Sequence, residues 1–112
     1  MAKIGFFSRN GESFEGGIET ISLRAPLRLV PVPNPAGALL APSHRVLAGN
    51  HDVGFALALA PRAGREVFRI EMDTPEFAAP VVAELVETEA AGEFNLFWNR
   101  PGYAVSPALR FR

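Results

Sequence analysis

The chain has no cysteine, which removes a disulfide framework, a thiolate zinc site and a cysteine nucleophile at once. Histidine is scarce too: His44 and His51 are the two in the sequence, and although Asp52 follows the second, this spacing matches no zinc-ligand motif. No metal is expected. Serines Ser8, Ser13, Ser22, Ser43 and Ser106 lack the Gly-x-Ser-x-Gly setting of a nucleophile elbow. Glu84 and Glu87 have only the spacing of a solvated face, and Glu15-Gly16-Gly17 leads into neither a lysine nor a helical pattern, which excludes a phosphate loop. Catalytic residues and cofactors are therefore not expected, and an uncharacterised enzyme is the least supported reading. Long apolar runs are also missing. Nothing approaches the ~20 apolar residues of a membrane helix, and Met1-Ala2-Lys3-Ile4-Gly5 opens no signal-peptide region. A soluble, cytoplasmic protein with no membrane partner is the expectation.

What is present suits one folded domain. At 112 residues, with 48% hydrophobic and 21% charged, the chain can bury a core without the staples that become usual below roughly 40 residues. A formal charge of -1 supplies no global pull toward nucleic acid. The average hides an asymmetry. Residues 1–65 carry seven Lys/Arg against four acids, residues 66–101 carry two Arg against eight acids, and the tail adds Arg110 and Arg112. Two faces of opposite sign would follow if the halves separate in space, whereas a solvated acidic face on the second half is the plainer account.

Strand signals recur along the chain. Ile4 to Ser8 alternates, Asn10-Gly11 suits the positive backbone angles of a hairpin turn, and Ser13 to Thr20 returns from it. Gly16 and Gly17 inside that return predict a bulge or a close approach of backbone. Ile21, Leu23, Leu27 and Leu29 continue the rhythm, with a bend expected at Pro26. Residues 31–42 hold four prolines, one glycine and no charge, so they read as a loop whose Ala38-Leu39-Leu40-Ala41 patch covers the core or makes a contact. His44 to Leu47 is a strand and Ala48 to His51 a turn. The clearest alternation follows: Val53, Phe55, Leu57 and Leu59 on one side, Gly54, Ala56, Ala58 and Ala60 on the other, with the large residues facing one way. Phe68, Ile70 and Met72 then form a core face. Val81 to Ala91 fits helix or strand; strand is chosen because Gly92 then turns the chain into Phe94 to Trp98, where Phe94, Leu96 and Trp98 read as core. Together these predict an all-β fold, a small antiparallel barrel or sandwich of about six to eight strands with a Pro-rich loop. Residues 1–101 form the single β domain, and residues 102–112 are a tail or an extra edge strand.

Four stretches carry a family resemblance: Met1-Ala2-Lys3-Ile4-Gly5-Phe6-Phe7, His44-Arg45-Val46-Leu47-Ala48-Gly49, Met72-Asp73-Thr74-Pro75-Glu76-Phe77-Ala78-Ala79-Pro80 and Leu96-Phe97-Trp98-Asn99-Arg100-Pro101. In this order they resemble the bacterial family called domain of unknown function 736. The resemblance implies a small, cytoplasmic, mostly β protein, often encoded on plasmids or near conjugation genes, with no assigned activity and no catalytic residues to transfer. One departure stands out. After Val53-Gly54 the family commonly has a Trp and lysines, where this chain has the uncharged Phe55-Ala56-Leu57-Ala58-Leu59-Ala60.

The expected function is non-enzymatic: an accessory protein of a mobile element that acts by protein–protein contact, of the kind that inhibits a host defence complex such as a CRISPR effector or a restriction enzyme. The acidic stretch Glu84 to Glu93 would then face a basic groove, and Arg45, Glu84, Glu87, Phe97 and Arg100 are the candidate interaction residues. The alternative is a small OB-like binder of single-stranded nucleic acid in plasmid maintenance or transfer, with Phe7, Phe14, Phe97 and Trp98 as stacking planes and Arg45 and Arg100 as charges.

Overall fold

Turn residues cut the chain into strands of five to twelve residues, and the sheet they form curls until its last strand meets its first. The computed structural model describes residues 2–33, 41–75, 77 and 79–98. In order they form β1 (Ala2–Asn10), β2 (Ser13–Glu19), β3 (Arg24–Pro31), β4 (His44–Ala48), β5 (His51–Arg62), β6 (Arg65–Met72), β7 (Val81–Glu87) and β8 (Glu93–Trp98). Every strand pairs antiparallel with its sequence neighbours, and β8 closes on β1 through Phe7↔Phe94 and Gly5↔Leu96. The result is a closed eight-stranded up-and-down barrel, which leaves no free sheet edge. The all-β expectation holds, and closure decides between barrel and sandwich. An OB-like connectivity is not what the chain adopts, since that fold is a five-stranded Greek key.

Glycines shape the hairpins for two different reasons. Gly11 opens the β1–β2 turn with φ +68 while Asn10 pairs with Ser13 in the ladder, so the left-handed residue is the glycine alone and not the Asn-Gly pair. Gly16 has no such angle. A Cβ there would sit 1.9 Å from the Phe6 carbonyl oxygen and 2.7 Å from Phe7 Cα. The expected close approach is therefore real, but the β1–β2 register runs unbroken past it, and the irregularities lie at Lys3/Gly5, Val46/Leu47 and Leu59/Arg62. The bend expected at Pro26 is absent as well. Pro26 sits within one continuous strand, in the part of β3 that pairs with β2 but extends past β4, where a missing N–H costs no ladder bond.

The core fills the barrel lumen. Phe68, Leu85 and Leu96 lie in one row across β6, β7 and β8, and Ile70, Ala83 and Trp98 in the next. Choosing strand over helix for β7 is thus explained by pairing: Val81, Ala83 and Leu85 register with Met72, Ile70 and Phe68. Phe7, Phe14 and Phe94 are fully buried, and Phe14 meets Phe94 and Phe68 edge-on at 5.0 and 5.4 Å. Trp98 is half-buried, packed against this cluster.

The alternation of β5 runs opposite to the usual hydrophobic-in pattern. Ala56 is fully buried and shares the inner row with Ile70, whereas Leu59 is 38% exposed. Phe55 and Leu57 share Leu59's outward face, and only Val53, shifted by the irregularity opposite Val46–Leu47, packs against the core. The lumen of eight strands has room for little more than one layer of side chains. With Phe14, Phe68 and Phe94 already inside, the small side of β5 is the side that fits. The Ala38–Leu40 patch, Arg100 and the tail 102–112 lie outside the described residues.

Candidate functional site

Of the residues singled out by sequence, Glu84 and Phe97 are brought together: they are direct cross-strand partners on the outer face of β7 and β8. Arg45 is also outward, on β4, but its Nε donates to Asp52 Oδ2 at 2.8 Å, so its charge is matched. Glu87 points into one end of the barrel, where Oε1 accepts the Glu66 N–H (3.2 Å) and Oε2 the Gly92 N–H (3.3 Å). It is a structural acceptor within the β7–β8 connection. Phe7 and Phe14, proposed stacking planes, are core.

The charge asymmetry of the sequence is partly offset in space. Arg9 pairs with Glu66, Arg62 with Glu84 at 2.7 Å and Arg65 with Glu89 at 3.8 Å, each joining the basic half of the chain to the acidic half. Ser8 Oγ donates to Glu93 at 3.2 Å. The stretch Glu84–Glu93 is therefore largely engaged within the fold.

One end of the barrel is capped from inside. Arg9 forks onto Glu66, with Nη2 to Oε1 at 3.1 Å, while its guanidinium lies 4.8 Å from the Phe14 ring centroid and 5.5 Å from that of Phe94. The Arg9 hydrogen bond, ahead of opposing burial, holds the Glu66 carboxyl below its ordinary value, and the same bond raises Arg9. Beside them His44 is buried edge-on to Phe14 and Phe68. Its Nε2 donates to the Glu12 carbonyl and Nδ1 meets Ser43 Oγ, both at 2.9 Å, so it is a satisfied core histidine. His51 lies at the other end of the barrel, which separates the pair. Among the described residues no cluster of His, Asp and Glu could hold a metal ion.

Two features stand apart from this packing. The first is the outer face of β5–β8. Phe55, Leu57 and Leu59 on β5 share it with Val82, Val86 and Phe97, and Val67, although outward in register, is 1% exposed beneath its neighbours. Leu59 and Val82 remain 38% and 43% exposed. Ion pairs Arg62–Glu84 and Arg69–Glu71 (2.9 Å) lie among these side chains. An outward β-face is ordinarily polar, so this much apolar surface is informative. Sequence reasoning missed it by leaving open which side of β5 is inside; the signal was the uncharged run Phe55–Ala60. The second is a pocket of about 510 Å³ at the uncapped mouth, between the β2–β3 turn, the start of β5 and the β6–β7 connection.

Fold and surface together define a closed β-barrel with an apolar core, a partly apolar outer wall and, among the described residues, a pocket at one mouth. The family model described as Protein of unknown function (DUF736) matches residues 3–101, and the chain belongs to that family. No curated protein and no solved structure matches the chain. Among the described residues no helix is long and apolar enough to cross a membrane.

Proposed function

We propose that the protein acts without catalysis, by contact with another protein through the outer face of β5–β8. The observation that carries this is the orientation of β5, which turns Phe55, Leu57 and Leu59 outward next to Val82 and Phe97. Large apolar side chains set around paired charges give this face the mixed composition of a non-obligate protein interface. The charges also speak against lipid as the partner: Arg69, Glu71 and Glu84 occupy the middle of the same face, where a membrane barrel carries an apolar band. A cytoplasmic protein of a mobile element that sterically blocks a host nuclease complex, of the CRISPR-effector or restriction type, is the form of contact we propose. The contact would rest on the apolar side chains; charge mimicry has little support, because Glu84 and Glu89 pair with arginines and Glu87 accepts backbone N–H groups.

The test is affinity capture from a host lysate with the wild-type chain and with Leu59→Lys/Val82→Lys, both folded by circular dichroism. Capture of a stoichiometric nuclease-complex subunit by the wild type, lost in the variant, is the expected result. Equal capture by both chains, or no stoichiometric partner, overturns the assignment. Salt-dependent binding of single-stranded DNA that survives the double substitution and is lost on Arg45→Ala would move the function to the nucleic-acid alternative.

A further inference from the structure

The mouth pocket belongs to a different part of the molecule from the contact face and has a chemistry of its own. Its walls are Ile18 and Leu27 from the lumen, Leu23 from the β2–β3 turn, Val53 from β5 and Phe77 from the β6–β7 connection, and buried Met72 forms part of its floor. At about 510 Å³ it falls within the roughly 300–1,000 Å³ of small-molecule sites, and barrel mouths are a preferred place for them. The opposite end holds the Arg9–Glu66 cap, so among the described residues the barrel opens at one end.

The rim is acidic. Asp52 and Asp73 line it together with His51 and Thr74, and neither Lys nor Arg is among the described residues that line it. Asp52 is matched by Arg45 on the outer face. Asp73 is exposed, its backbone N–H donating to Val53 carbonyl oxygen at 2.9 Å, and its carboxylate has no hydrogen-bond or ion-pair partner among the described residues. The backbone bond fixes the residue at the edge of the cavity while leaving the side chain available.

We infer that the mouth binds a small cationic amphiphile, its apolar body against Leu23, Leu27, Val53 and Phe77 and its ammonium on the Asp73 carboxylate. An anionic head would meet two carboxylates and no cation among the described lining residues. A neutral hydroxyl head could donate one hydrogen bond to Asp73 but would leave its charge unmatched. The apolar walls lower the local dielectric and strengthen the attraction for the correct charge. This site is independent of the protein contact proposed above, since neither Leu59 nor Val82 lines it.

Titration calorimetry of the full chain with octylamine, octanol and octanoate tests the inference. Octylamine binds one to one, octanol about tenfold more weakly and octanoate not measurably, the tenfold step being the exchange of an ammonium–carboxylate pair for a neutral hydroxyl donor. Asp73→Asn reduces octylamine binding to the octanol level without moving the thermal midpoint. Leu23→Asp, at the exposed edge of the wall, weakens octanol as well. Octanoate binding as tightly as octylamine, or octylamine affinity unchanged in Asp73→Asn, overturns the inference. So does tighter binding of N-acetyl-lysine amide than of octylamine, because that result assigns the mouth to a basic side chain of a protein.

Discussion

Two substitutions on β5 separate the observed barrel from its mirror arrangement, in which the large side chains would fill the lumen. Ala56 is fully buried in the row that also holds His44 and Ile70, so Ala56→Leu pushes three further carbons into a filled interior. Overpacking of this kind costs about 3 kcal/mol. Leu59 is on the outer face and 38% exposed. Leu59→Ser gives up part of one side chain's transfer energy and leaves no closed cavity, about 1 kcal/mol. Were the large residues inside, the order would reverse: the leucine truncation would cost ~2–5 kcal/mol as in other cores, and the enlarged alanine would be nearly silent. Urea unfolding followed by the fluorescence of Trp98, the single tryptophan, measures both, since it packs half-buried against the core. Thermal midpoints should fall by roughly 13 °C and 4 °C respectively. A Leu59→Ser variant as unstable as Ala56→Leu, or more so, refutes the orientation of β5 and the contact face built on it.

The remaining predictions concern turns, glycines and the capped end. Gly16→Ala should destabilise on the order of 3 kcal/mol in the same assay, because the clashing atoms are backbone and cannot swing away; Gly11→Ala, which meets nothing within 4 Å, should cost only the left-handed penalty of ~1 kcal/mol. Ala63 is the one described non-glycine residue with positive φ (52), followed by Gly64 (φ 75), so Ala63→Asn should stabilise by about 0.5–1 kcal/mol and raise the midpoint. Glu66 is held below its ordinary value of 4.5 in the folded state, so its contribution is present above that value and is lost as pH falls through the lower, folded one. Glu66→Gln should therefore lower stability at neutral pH and flatten the decline below about pH 4.5, measured as thermal midpoint against pH; a wild-type profile and slope unchanged by the substitution would sink the role given to the Arg9 pair.

How much was legible in the sequence follows from what periodicity encodes. Phe68, Ile70 and Met72 alternate with polar or charged neighbours, so both the strand and its inner face could be read, and the structure keeps them. Turn glycines located the hairpins at Gly11, Gly49, Gly64 and Gly92 because a left-handed angle is a local demand. In β5 neither side is charged, so alternation tells which residues share a face and leaves open which face is inside. That choice is made by the volume left in the lumen after Phe7, Phe14, Phe68 and Phe94 are placed, a quantity no single strand contains. The same holds for the Arg9–Glu66 cap, whose partners are 57 residues apart and meet only when the barrel closes. The mouth pocket draws its walls from the β2–β3 turn, the start of β5 and the β6–β7 connection, and although Met72 to Pro80 carries part of the family resemblance, no local pattern shows that the three meet.

Charge shows the same limit and bears most directly on function. Counted along the chain, the second half is acidic enough to invite a basic partner. In the fold, Arg62, Arg65 and Arg9 from the first half reach Glu84, Glu89 and Glu66, and with Arg69 paired to Glu71 the wall of β5–β8 is electrically balanced. Exposed pairs of this kind add little stability, on the order of 0–1 kcal/mol each, so their effect lies more in what they deny than in what they hold. They deny a strong long-range field to a charged partner, and association through this face should then depend weakly on ionic strength, unlike backbone-driven nucleic-acid binding, which falls steeply with salt. Capture of the partner at high salt as well as low therefore follows from the geometry. Loss of capture between about 50 and 200 mM salt would show that the balanced wall is not the surface in contact.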